Sequence, residues 1–156
     1  KDVISVGRDE QKLMDDMLDT MYAANGIGLA AIQIGIPKRI IVMDISKSDE
    51  NKKPMFFVNP IIKNKDKELS IYEEGCLSVP NYFAEIERPK KCDVEYLDYN
   101  GNKKILNAEG LFATCIQHEM DHLEGILFID YLSKLKKTMI IKKLSKQSVK
   151  PGRIVV

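Results

Sequence analysis

The chain holds only two histidines, His118 and His122, and they flank Glu119 in Gln117-His118-Glu119-Met120-Asp121-His122. This is the H-E-x-x-H pattern of a helix that binds a divalent metal. Helix positions four apart lie over one another, so both imidazoles can reach one cation while Glu119 stands beside it as general base. The chemistry expected is hydrolysis. Glu119 takes a proton from metal-bound water, whose pKa falls toward about 7, and delivers it to the leaving amine. A solvated helix can carry the same letters by chance, so the surrounding elements decide.

A catalytic site of this kind takes three protein ligands and leaves a position for water. The metzincin continuation H-x-x-G-x-x-H is followed through Gly125, but Phe128 stands where the last ligand would be. The thermolysin arrangement, with a Glu on a following helix, fails because Tyr131 to Val156 contains no acid. Downstream of His122 the only carboxylates are Glu124, about 200° round the helix from His122, and Asp130, beyond the helix-ending Gly125. The third donor is therefore expected upstream, among three cysteines and many acids. Cys76 is the strongest candidate. Its segment Glu74-Gly75-Cys76-Leu77-Ser78 is unlike a plain strand, Gly75 permits close backbone approach, and a thiolate is a softer ligand than a carboxylate.

The elements that must position these residues are legible in the hydrophobic pattern. Asp9 can cap a helix carrying Leu13, Met14, Met17, Leu18, Met21 and Tyr22 at helical spacing and ending near Asn25-Gly26. Ile40-Ile41-Val42-Met43 reads as a buried strand, and Met55 to Val58 with Pro60-Ile61-Ile62 as another, irregular at its proline. Lys47 to Lys53 reads as a polar loop. Glu68 to Glu73 is a strand running into the cysteine segment, with Cys76 at its end and a turn at Pro80-Asn81. Cys92, Val94 and Tyr96 alternate with acids, and Asn100-Gly101 turns the chain into Lys104-Ile105-Leu106. Leu111 to Glu124 is apolar nearly all round and should be a buried central helix, with Leu111, Cys115, His118 and His122 on one face. A last helix carries Leu132, Leu135, Met139, Ile140 and Leu144 on one side and lysines elsewhere. Strands grouped around one buried helix, with helices at both ends, predict an α+β fold of antiparallel or mixed sheets.

The chain resembles the peptide deformylase family through three segments in order: Gly26-Ile27-Gly28-Leu29-Ala30-Ala31-Ile32-Gln33, Glu74-Gly75-Cys76-Leu77-Ser78, and Gln117-His118-Glu119-Met120-Asp121-His122-Leu123-Glu124-Gly125. The resemblance runs from about Asp9 to about Leu144. It implies removal of the formyl group from the N-terminal formylmethionine of nascent polypeptides, releasing formate. It also implies a divalent metal on Cys76, His118 and His122, Fe²⁺ first, with Zn²⁺, Ni²⁺ or Co²⁺ as alternatives. Gln33 and the backbone N–H of Leu77 would stabilise the oxyanion, and Glu74 would support the site by holding a ligand or positioning Gln33. Gly26 and Gly28 would let the substrate backbone pass close, like an added strand, and Gly75 would do the same on its side. Ile27, Tyr72, Leu111 and Cys115 would form the pocket for the methionine side chain. Two positions depart from many relatives, Ile32 where Pro is common and Phe83 where Arg is common. The second bears on peptide preference beyond the first residues.

Gly26-x-Gly28 lacks the third glycine and preceding strand of a nucleotide fingerprint, which disfavours nucleotide binding. At 156 residues and 44% apolar the chain suits one catalytic domain over 1–156, and it holds no apolar run long enough to span a bilayer. Three cysteines argue against a disulfide framework and for a reducing compartment, the cytoplasm of a bacterial-type cell. A start at Lys1 without methionine leaves an organellar origin open. The net charge of +1 conceals a split: residues 131 to 156 hold eight Lys or Arg and no acid, while the body is −7. A basic end on an acidic body suits a polyanion, and in relatives the last helix docks at the ribosome. Salt-sensitive ribosome contact is expected, with no specific nucleic-acid sequence. The rivals are a metallopeptidase with no need of Cys76 and a catalytically silent RNA-binding domain.

Overall fold

The computed structural model describes residues 1–46 and 51–147. Part of the polar loop expected over Lys47–Lys53 and the basic end beyond 147 lie outside them. Helix α1 (Arg8–Ala23) buries Met14, Met17 and Met21 completely, the stripe that the 3.6-residue period demanded. Its N-cap is Gly7, not Asp9: the Gly7 N–H donates to Glu10 Oε1 at 2.9 Å, so the helix starts earlier and Asp9 falls in the first turn, where a negative charge suits the dipole. Asn25, at φ 57°, turns the chain out in the left-handed conformation that asparagine tolerates.

Five strands form one sheet in the order β1-β2-β3-β6-β7, every neighbouring pair antiparallel: β1 (Gly28–Ala30), β2 (Ile40–Met43), β3 (Met55–Lys63), β6 (Lys91–Leu97) and β7 (Lys103–Glu109). Ile40 to Met43 are wholly buried, as a continuous apolar strand requires. The irregularity expected at Pro60 is a register shift between Val58 and Ile61, with Asn59 at φ 50°. The Asn59 amide bonds both the N–H and the carbonyl of Val3 at 2.8 Å and so ties the first residues to the sheet. Gly101, at φ 84°, makes the β6–β7 turn.

A separate two-stranded sheet pairs β4 (Leu69–Cys76) with β5 (Val79–Pro89). The turn is Leu77-Ser78, not Pro80-Asn81. Asn81 instead bulges within β5 at φ 67°, so that Gly75 faces Phe83 while Cys76 faces Val79. The chain doubles back directly after the cysteine, and that places the sulfur at the end of the hairpin.

Helix α2 (Gly110–Leu123) lies between the two sheets, with Ala113 to Glu119 and His122 buried. Phe57 and Phe112, ring centroids 6.0 Å apart, join the large sheet to it. Gly125, at φ 75°, ends the helix as expected. A single 3-10 turn (Phe128–Tyr131) leads to α3 (Lys134–Gln147), which packs Ile140 and Leu144 against the cluster of Val79, Ile86, Phe128 and Ile129. Leu135 and Met139, expected on that buried side, are exposed, because only part of the stripe meets the hairpin. No described helix is long and apolar enough to cross a membrane. The fold is α+β, with sheets around a central helix bearing the histidine motif.

Candidate metal centre

Cys76 at the end of β4 and the two histidines of α2 converge. The Cys76 sulfur is 3.2 Å from His122 Nε2, which is 3.2 Å from His118 Nε2, and the three ligand atoms lie within 4.8 Å of one another. A tetrahedral cation with metal–nitrogen bonds of about 2.0 Å and metal–sulfur bonds of about 2.3 Å needs ligand edges of roughly 3.3–3.6 Å, close to this spacing. Cys92, packed in β6, and Cys115, on α2, are not among the three converging donors.

The second ring of contacts is built from charge. His118 Nδ1 is 3.0 Å from Glu74 Oε1, which turns Nε2 toward the cluster. Arg88 donates to both Glu74 oxygens at 2.7 and 2.9 Å and to Asp121 at 2.8 Å, and Tyr131 donates its hydroxyl to Asp121 at 2.7 Å. The Arg88 guanidinium is buried under the Tyr131 ring, 5.0 Å from its centroid. Burial opposes ionisation of Glu74, but His118 and Arg88 together hold its carboxyl below the ordinary 4.5. Burial likewise opposes charge on His118, yet bonds to Cys76 and Glu74 push it up to about 10, while burial and the neighbouring His118 drive His122 down to about 4.

Because the folded-state pKa of Glu74 is depressed, its contribution to stability is complete above the ordinary value of 4.5 and is lost as pH falls through the lowered one. Thermal melts of the parent and Glu74→Gln should therefore differ most near neutrality and draw together below about pH 4.5. A gap that stays constant to pH 3 would mean that the carboxylate is not what Arg88 and His118 hold.

Glu119 is buried, and its Oε2 has no hydrogen-bond partner among the described residues. Burial pushes its carboxyl up to about 7. An orphaned carboxylate beside three converging ligand atoms is the space a cation and its water would fill, and a thiolate with two imidazoles is a donor set that divalent transition metals accept. The residues fit the group. Gly28 makes this possible: a Cβ there would stand 2.8 Å from Glu119 Oε1 and 3.1 Å from the Cys115 sulfur. A Cβ on Gly26 would strike Leu77 at 2.8 Å, and one on Gly75 would meet the Phe83 ring at 2.5 Å.

Gln33, in the 3-10 turn Ala31–Ile34, reaches the same region, its Nε2 2.8 Å from Ser78 Oγ and 3.8 Å from the Cys76 sulfur. Its Oε1 accepts the Ala30 N–H at 2.9 Å. Glu74 thus braces His118 and has no bond to Gln33, the second of the two roles expected for it. The Cys115 sulfur lies 3.9 Å from the Ile27 carbonyl, and Ile27 and Leu111 are both exposed at the surface. Tyr72 shares the Glu74 side of β4 by strand alternation. A cleft of about 400 Å³, lined by Arg88, Gln117, Met120, Asp121 and Tyr131 among others, lies behind the bracing network and includes none of the three ligands.

Arg88, Asp121, Tyr131 and Ser78 have no assigned role in the sequence reading. One signal for Arg88 exists: it stands two residues after Ile86, on the inward face of β5, where an arginine needs a carboxylate.

A model of the family described as polypeptide deformylase matches residues 1–138. A peptide deformylase of Pelagibacter ubique is 73% identical over 156 residues, all of this chain and 90% of that protein. One of Maricaulis maris is 60% identical over 144 residues, 92% of this chain and 83% of that protein. Among solved structures, peptide deformylase from Ehrlichia chaffeensis in complex with actinonin superposes with a TM-score of 0.91 at 45% identity, covering 96% of this chain and 90% of that one.

Proposed function

The chain belongs to the polypeptide deformylase family, and on that premise we propose that it hydrolyses the N-formyl group of formylmethionyl nascent peptides, releasing formate. The observation that carries the proposal is the convergence of Cys76, His118 and His122 beside a buried carboxylate with an unpartnered oxygen. These three residues would hold one divalent cation, Fe²⁺ foremost by family resemblance and Zn²⁺, Ni²⁺ or Co²⁺ as substitutes. When bound, the cation would supply Lewis acidity, polarising the formyl carbonyl and acidifying water.

The chain's own residues do the rest. Glu119 accepts a proton from the attacking water and passes it to the amine that leaves. Gln33 Nε2 and the Leu77 N–H donate to the oxygen on which charge grows. Glu74 keeps the ring of His118 turned, and Arg88 keeps Glu74 ionised. As the family resemblance implies, the peptide lies along the backbone at Gly26, Gly28 and Gly75, and Ile27, Leu111, Cys115 and Tyr72 receive the methionine side chain. The lysines of α3 suit a polyanionic partner, which supports contact with the ribosome during synthesis.

Formate release distinguishes this activity from its rivals. With metal supplied, the parent should release formate from formyl-Met peptides and leave unformylated peptides intact, and Cys76→Ala should lose both the metal and the reaction. Cleavage of unformylated peptides by a Cys76→Ala protein would make it a metallopeptidase instead. A metal-loaded parent that leaves formyl peptides untouched would remove the proposal.

A further inference from the structure

The Gln33 carboxamide is gripped at both ends. Its oxygen accepts the Ala30 N–H at 2.9 Å, which leaves Nε2 turned toward the hairpin end, where it donates to the Ser78 hydroxyl oxygen at 2.8 Å. An amide nitrogen carries two N–H groups in one plane. With one of them on Ser78, the other is held in that plane and makes a long contact with the Cys76 sulfur, 3.8 Å from the nitrogen, on the side where the cation and the substrate oxygen would meet.

We propose that Ser78 is a positioning residue for deformylation, its hydroxyl oxygen fixing the Gln33 carboxamide so that the second N–H is aimed at the oxygen that becomes charged. The inference rests on the hydrolytic function proposed above. A glutamine side chain turns about several bonds, and a donor that must be ordered during the reaction loses part of its benefit as entropy. A donor already fixed loses none. Ala30 holds only the oxygen end, and rotation about that contact still swings the nitrogen. Ser78 removes the remaining freedom. Its backbone N–H separately donates to the Cys76 sulfur at 3.4 Å, a contact that does not need the side chain.

The test is a double-mutant cycle on the metal-loaded full chain. Ser78→Ala should lower kcat about five- to tenfold, the size of one neutral hydrogen bond, with KM within about twofold. Ser78→Thr, which keeps the hydroxyl, should recover most of the loss. In a Gln33→Ala background Ser78→Ala should have no further effect, since there is nothing left to hold. The thiolate-to-metal absorption of the Co²⁺ form should be unchanged in Ser78→Ala, which separates positioning from damage to the ligand set. The Gln33 side-chain NH₂ signals in a ¹⁵N spectrum, assigned by their loss in Gln33→Ala, should move in Ser78→Ala. A Ser78→Ala protein with parental kcat and unmoved Gln33 signals overturns the proposal, as does a loss that persists in the Gln33→Ala background. If the parent releases no formate the hydrolytic function fails, and the NMR arm still decides whether Ser78 orients Gln33.

Discussion

Replacement of Glu119 by Gln is expected to slow formate release about 10²–10⁴-fold while leaving the metal content of the protein unchanged. The amide has the size of the carboxylate and can occupy the same space against Gly28, but it cannot accept a proton from water. Glu119 is not among the three converging donors, so its loss should not release the cation. No other carboxylate can readily substitute: Glu74 is committed to His118 and Arg88. Burial holds the Glu119 carboxyl up to about 7, and the attraction of a nearby cation acts downward. The active form is the carboxylate, so the rate should climb with pH and reach half its plateau at or below about pH 7. Activity of the glutamine variant within tenfold of the parent would show that the proton is carried by another group.

Removing the charge of Arg88 should cost both stability and metal affinity. Arg88→Met leaves Glu74 buried beside Asp121 with their shared counter-ion gone, and breaking a buried pair in this way costs about 3–5 kcal/mol. For a chain of this length that corresponds to a fall in Tm on the order of 10 °C. The same change loosens the brace on His118 and should weaken metal affinity about 10–100-fold. Calorimetry and a metal-buffer titration measure the two effects separately. Adding Glu74→Gln to Arg88→Met should restore part of the stability, by removing the stranded charge, and none of the affinity. A single variant that melts within about 2 °C of the parent would refute the network's structural role.

How much of this was legible beforehand follows from what each residue needed. The histidine helix and the β6–β7 hairpin were readable because a helix period and an Asn-Gly turn are local signals. Elimination moved the third donor upstream of His122, and the Glu74–Ser78 segment, with the family resemblance it carries, singled out Cys76 among the candidates there. Arg88 was not readable as a brace, because no strand was assigned to its segment and the carboxylates that hold it stand on other elements. Two errors have local causes. Glu10, reaching back to Gly7, outcompeted Asp9 for the helix start, and Pro80-Asn81 has the composition of a turn yet serves as a bulge, because Leu77-Ser78 had already reversed the chain. The exposure of Leu135 and Met139 depended on where the hairpin ends, which no period encodes.

The sheet has two open borders, and they are treated differently. β7 presents Lys103 and Lys104 to solvent, charges that discourage a second molecule from zipping on. β1 cannot use that protection if an extended peptide must lie beside it. It is three residues long, and its Ala30 N–H is already occupied by Gln33. The residue nominated to steady the reaction therefore also plugs the border strand. On the proposed function β1 would admit a short extended peptide, and its three residues offer too few rungs for fibrous stacking of one copy on the next.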